Sequence, residues 1–257
     1  MGLSTRRVDP PSETTTALEF GHAGGPLVAV VGLTGGAGAS TLAHLLAAAA
    51  AAASTSTSTP ILLAETGGPR ASLRLLAGVS SRCSLVDLAL DVDAGRPSDG
   101  PLFAVADDGL RVIAAGPRFE PSDETESSLR LLLDDARAAH GLTVVDCCSP
   151  ERAADQLVLA TATHVVWLAP ATTSARVRAG AALDAADLPI AGRELLAIRQ
   201  DAADLPPATP STWSEIAQRR DADVVLVPWI PQLGARPLAE RIDQAFLSLE
   251  ALAGALR

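Results

Sequence analysis

The sequence predicts an α/β fold, a mostly parallel sheet covered by helices on both faces. Three observations predict it. Strand-like and helix-like segments alternate almost throughout residues 26–257. The strand-like segments are continuous apolar runs, as expected where both faces of a sheet are covered. The first of these runs passes into a glycine-rich turn and then a helix, the start of a βα unit. At 257 residues, 48% of them hydrophobic, the chain is long enough to bury one sizeable core.

The elements follow in order. Residues 1–25 are rich in Ser, Thr, Pro and Gly with little apolar periodicity, and read as a disordered tail. Leu27 to Val31 is a buried strand, Gly32 to Gly38 a loop, and Ser40 to Ala53 an alanine-rich helix. The STSTST run at 54–59 is a low-complexity loop closed by Pro60. Ile61 to Ala64 is the second strand. Leu73 to Ala77 and Leu85 to Leu90 read as short helices, and Leu110 to Ala114 as a strand. Ser127 to His140 is an amphipathic helix, because Leu129, Leu132, Leu133 and Ala136 fall at helical spacing. A strand from Leu142 ends at Asp146. A helix over 155–162, a strand over 165–168 and a helix over 174–186 come next. Strands at 194–198 and 224–227 follow, separated by a Pro-rich loop at 201–214. Leu238 to Leu256 is a closing helix. The chain divides into the tail and one domain, residues 26–257.

Composition excludes several classes. The formal charge is −10, which disfavours long-range attraction to DNA. All 20 basic residues are arginine, and the chain contains no lysine. No apolar run approaches the ~20 residues a membrane span needs, and the polar N-terminus has no signal-peptide core. The closing helix is amphipathic, but Glu240, Asp243 and Glu250 stand against Arg241 and Arg257. Docking onto the sheet suits it better than a membrane surface. These features predict a cytoplasmic protein. Cys83, Cys147 and Cys148 show neither metal-ligand spacing nor a disulfide framework; Cys147 and Cys148 read as buried strand residues. The four histidines are scattered and form no catalytic pair. Trp167 reads as a core residue; Trp213 and Trp229, near the Pro-rich loop, read as core residues, with a partly exposed partner-binding patch as the alternative.

The loop Gly32-Leu33-Thr34-Gly35-Gly36-Ala37-Gly38-Ala39-Ser40-Thr41 carries the functional argument. Glycines let successive N–H groups converge on one point without β-carbon clashes. The helix N-terminus adds partial positive charge at that point. This arrangement suits a phosphate.

The segment resembles the deviant phosphate loop of the ParA/MinD family of P-loop NTPases, whose pattern runs Lys-Gly-Gly-x-Gly-Lys-Thr/Ser-Thr. Every glycine and both hydroxyl residues match, but Thr34 and Ala39 stand where the two lysines belong. The resemblance continues at Ile61 to Gly68, where Glu65 and Gly67 take the places of two aspartates in a switch region. It continues again at Leu110 to Pro117, at Val144-Val145-Asp146 (a Walker B strand), at Val165 to Pro170 and at Trp229-Ile230-Pro231. Ile198 or a neighbour takes the place of an adenine-contacting asparagine.

The resemblance implies a P-loop architecture. It also implies nucleotide contacts from Gly35, Gly36, Gly38, Ala39, Ser40 and Thr41, with Ser40 and Asp146 as Mg²⁺ ligands if ATP binds. A lysine on phosphate oxygens makes charge-assisted hydrogen bonds of ~1.5–3 kcal/mol each, so the missing residues predict weak or absent ATP binding and no efficient hydrolysis. No residue is therefore assigned a catalytic role. Arg70 is the nearest arginine in sequence that could compensate. A homodimer of this chain cannot restore a lysine, whereas a lysine-bearing ParA-like paralogue can. The expectation is a pseudo-ATPase that binds protein partners in chromosome partitioning, septum-site selection, or pilus or secretion assembly. The alternative is a slow ATPase completed by an arginine or by such a paralogue.

Overall fold

The computed structural model describes residues 24–53, 60–68, 72–80, 83–95, 103–106, 109–114, 126–186, 190–200 and 213–227. Residues 1–23 of the tail, the 54–59 loop, Arg70, most of the Pro-rich loop (201–212), Trp229 to Pro231 and the closing helix expected at 238–256 lie outside these residues.

The described chain runs β1 (Leu27–Gly32), α1 (Ala39–Ala53), β2 (Ile61–Glu65), α2 (Leu73–Leu76), α3 (Leu85–Asp93), β3 (Ala104–Val105) and β4 (Arg111–Ile113). It continues α4 (Glu126–Ala139), β5 (Leu142–Cys147), α5 (Ala153–Thr161), β6 (His164–Pro170), α6 (Thr173–Ala185), β7 (Arg193–Arg199), α7 (Ser214–Gln218) and β8 (Asp223–Val227). The strands form one sheet in the order β3-β4-β2-β5-β1-β6-β7-β8. Every pairing is parallel except β3 with β4. This is the predicted architecture, a mostly parallel sheet with helices on both faces.

The continuous apolar runs have the expected cause. Successive side chains on a strand point to opposite faces, and both faces are buried. Val28, Val30, Val144, Val166 and Leu195 pack on one face against Leu42, Leu45 and Leu46 of α1. Ala29, Val31, Val145, Val165 and Trp167 pack on the other, against Leu129 and Leu133 of α4, Leu157 and Val158 of α5 and Leu183 of α6. Alanine suits α1 twice over: it is the best helix former, and Ala43 and Ala47 are fully buried where the helix lies close over the sheet. On α3, Ser84 accepts from the Asp87 amide while Asp87 accepts from the Ser84 amide, a reciprocal cap that starts the helix.

Two elements differ from the sequence expectation. Residues 104–105 form an antiparallel edge strand, and α7 begins at Ser214, where a loop was expected. Both are short, and only their tertiary neighbours define them. β3 exists by pairing Ala104 with Val112. In α7, Ile216 and Ala217 are buried, as is the adjoining Trp213.

Candidate functional site

The carboxyl ends of β2, β5 and β1, neighbouring central strands, lie side by side at one end of the sheet. The loop from Gly32 to Gly38 leaves β1 there and turns into α1. Leu33 N–H donates to the Leu168 carbonyl at 2.9 Å, Ala37 N–H to Thr34 at 3.1 Å and Leu42 N–H to Gly38 at 2.9 Å. Gly36 and Gly38 hold φ values of 75° and 94°, a region L side chains rarely adopt, so both glycines are required by backbone shape. A cavity of about 880 Å³ opens over this loop. All six residues named from the sequence, Gly35, Gly36, Gly38, Ala39, Ser40 and Thr41, line it, and so does Asp146.

Ser40 and Asp146 come together as the sequence implied. Glu65 and Asp146 are register partners at the ends of β2 and β5. Burial pushes the Asp146 carboxyl up to about 7; the Ser40 hydroxyl, which hydrogen-bonds it, opposes this, and the charges of Glu65 and Asp155 add to it. Glu65 is itself 1% exposed and accepts from the Leu73 amide at 3.3 Å, which ties α2 to the cavity wall.

The pair of residues that organises the far wall was not singled out in the sequence. Arg152 and Asp155 are buried, with 9% and 0% exposure. Arg152 Nη1 donates to Asp155 Oδ2 at 3.1 Å, to the Gly67 carbonyl at 2.7 Å and to Thr66 Oγ1 at 3.3 Å. Asp155 also accepts from the Thr66 hydroxyl at 2.5 Å and the Ser149 amide at 2.9 Å. Burial raises the Asp155 pKa, while Arg152 and these donors oppose it.

The charged side chains that line the cavity are mostly acidic. Glu65, Asp146 and Glu151 line the cavity, and Arg152, already bridged to Asp155, is the one cationic side chain among the described lining residues. Ala39 brings no cation to the loop. Thr34 Oγ1, in the position of the signature lysine, is buried with no hydrogen-bond partner among the described residues.

Ile198 is 1% exposed in the core and is not among the residues that line the cavity. Strand alternation instead sends the next residue, Arg199, to the α1 face, where Nη1 lies 2.8 Å from the position of a β-carbon built on Gly38. Cys147 is buried at the end of β5, but Cys148 lies past the strand, partly exposed, and lines the cavity. Its expected place inside a strand is corrected by β5 ending at Cys147. Trp167 and Trp213 are core residues at 0% and 2% exposure.

A mostly parallel sheet with a glycine loop between β1 and α1, and an acid at the end of a neighbouring strand, is the architecture of P-loop NTPase folds. Within that class the architecture is ParA/MinD-like. A ParA family ATPase from Chlorobium tepidum superposes with a TM-score of 0.64 over 91% of this chain and 95% of its own, at 16% identity. The MinC:MinD cell division complex of Aquifex aeolicus gives 0.62 over 89% of this chain and 96% of the matched one, at 16% identity. The septum site-determining protein MinD of Pyrococcus horikoshii, complexed with Mg-ADP, gives 0.59 over 90% and 98%, at 14% identity. No family model and no curated protein matches the sequence. No helix among the described residues is long and apolar enough to cross a membrane.

Proposed function

We propose that this chain is a ParA/MinD-like pseudo-ATPase, a cytoplasmic scaffold or regulator that helps position cell machinery. Chromosome partitioning, septum-site selection and pilus or secretion assembly are the processes in which such a domain serves. The carrying observation is the loop itself. Its glycine backbone is intact, while Ala39 and Thr34 replace both lysines and Glu65, Asp146 and Glu151 line the cavity beside it. Phosphoryl transfer depends on stabilising charge that develops in the transition state, and this cavity offers mostly charge of the wrong sign. Gly35, Gly36, Gly38, Ala39, Ser40 and Thr41 remain the contacts for a weakly held nucleotide, with Ser40 and Asp146 its Mg²⁺ ligands. The partners are proteins, either a second copy of this chain or a lysine-bearing paralogue, and not DNA or a membrane.

A phosphate-release assay on the purified protein with Mg·ATP tests this reading. The expected rate is indistinguishable from a protein-free blank. Turnover that Gly36→Val abolishes would contradict it.

One observation favours a second reading. Arg199 reaches the edge of the glycine loop at Gly38, so a slow ATPase with an arginine in place of the loop lysine is the alternative. In that case Arg199→Ala removes the turnover.

A further inference from the structure

Two loops wall the cavity opposite α1. One follows β2 and contributes Gly67; the other follows β5 and contributes Cys148 to Arg152. They leave neighbouring parallel strands, and any closing or opening of the cavity requires them to move relative to each other or to α1. The chain's own side chains join them. Thr66 donates its hydroxyl to Asp155, its amide bonds the Asp146 carbonyl at 3.2 Å, and Arg152 holds Thr66 and Gly67 from the other side. Asp155 fixes the start of the second loop through the Ser149 amide. One guanidinium and one carboxylate, both buried, therefore hold both loops.

The close approach is built into the sequence. A β-carbon at Gly68 would lie 2.9 Å from Arg152 Nη1 and 3.1 Å from Cys148 Sγ. Only a residue without a side chain lets the first loop pass this close beneath the guanidinium, and the φ of 120° there demands glycine as well.

We propose that Arg152, Asp155 and Thr66 form a latch that joins the two cavity walls, so that they hold one arrangement without a ligand. This deepens the scaffold reading and rests on it: a surface presented to a protein partner is then defined by the fold and not by nucleotide. Arg152 serves three acceptors through one nitrogen: Nη1 lies within hydrogen-bond distance of Asp155, the Gly67 carbonyl and Thr66. Losing Arg152 or Asp155 would leave its partner buried and uncompensated, whereas losing the Thr66 hydroxyl removes one bond and keeps the ion pair.

Amide hydrogen exchange on the full chain tests the latch, with the Thr66 and Ser149 amides as reporters. In the wild-type protein both amides are protected, and millimolar Mg·ATP leaves that protection unchanged. Thr66→Val keeps the shape and removes the hydroxyl; it speeds exchange at both reporters by about tenfold, the size of one lost hydrogen bond. Arg152→Lys has an intermediate effect. Amides of β1 and β5 serve as the internal control that the fold is intact. Reporters that are unprotected in the wild type, or that gain protection when Mg·ATP is added, overturn the proposal. So does exchange in Thr66→Val that matches the wild type. Phosphate release measured on the same sample judges the scaffold reading separately, since turnover would contradict that reading without bearing on reporter exchange.

Discussion

Arg152 and Asp155, three residues apart at the start of α5, form a buried ion pair with Nη1 3.1 Å from Oδ2. A pair of this kind adds little over an apolar pair of the same shape, but removing one partner strands the other charge. Asp155→Ala is therefore expected to lower unfolding stability by about 3–5 kcal/mol. Asp155→Asn keeps an acceptor and is expected to lose less. Urea denaturation of the two variants checks the order, and equal losses would show that the charge of Asp155 is not what Arg152 requires.

The pH dependence of stability follows from Asp146. Its folded pKa is about 7 against 3.8 for the ordinary group, so the folded state binds the extra proton between those values. The contribution is fully present below about 3.8 and is lost as pH rises through about 7, with a slope of at most about 1.4 kcal/mol per pH unit. The raised pKa of Asp155 acts in the same sense, and the burial-lowered pKa values of His140 and His164 act in the opposite one. The difference between wild type and Asp146→Asn isolates the Asp146 contribution. Asn carries no charge to desolvate, so the variant is expected to gain melting temperature relative to wild type from pH 5 to pH 8. A difference that does not change with pH would contradict the assignment.

Glycine substitutions separate the loop from the scaffold. A β-carbon at Gly36 meets nothing within 4 Å, so Gly36→Ala carries only the strain of φ 75°, about 1–2 kcal/mol. A β-carbon at Gly192 would lie 2.3 Å from the Ala162 carbonyl oxygen and 2.5 Å from that of Thr163. Backbone must then shift between β6 and β7, and Gly192→Ala is expected at or above the upper end of the roughly 1–3 kcal/mol typical of overpacking. Thermal denaturation of both variants tests the ranking.

Restoring the loop cation should restore ligand binding. Ala39→Lys places an ammonium where the ParA/MinD pattern has one. It is expected to tighten Mg·ATP binding about ten- to a hundredfold over the wild type, the worth of one charge-assisted hydrogen bond. Titration of the two proteins side by side checks this. No gain would mean that the carboxylates of Glu65 and Asp146, and not the missing amine, set the limit.

Much of the fold was legible because each sheet strand is apolar on both faces and the glycine loop marks the β1–α1 junction. The proximity of Ser40 and Asp146 was implied by the resemblance to the ParA/MinD pattern, and the structure joins them by a hydrogen bond. The Arg152–Asp155 latch was not, because Asp155 in a helix's first turn reads as an ordinary exposed acid. Only the convergence of the β2 and β5 loops buries it. Arg199 carried a usable signal: alternation along Leu195, Ala197 and Arg199 places it on the α1 face. Sequence proximity pointed to Arg70 instead, which lies outside the described residues. β3 and α7 were missed because two and five residues carry no readable period.

The central claim is that an intact phosphate-loop backbone without its lysines does not run an ATP cycle. Isothermal titration of Mg·ATP into the purified protein, with Gly36→Val as control, tests it most directly. The account predicts no saturable heat below millimolar ATP and no difference between the two proteins. A micromolar Kd that Gly36→Val abolishes would contradict it, and would turn attention to Arg199 as the cation that replaces the lysine.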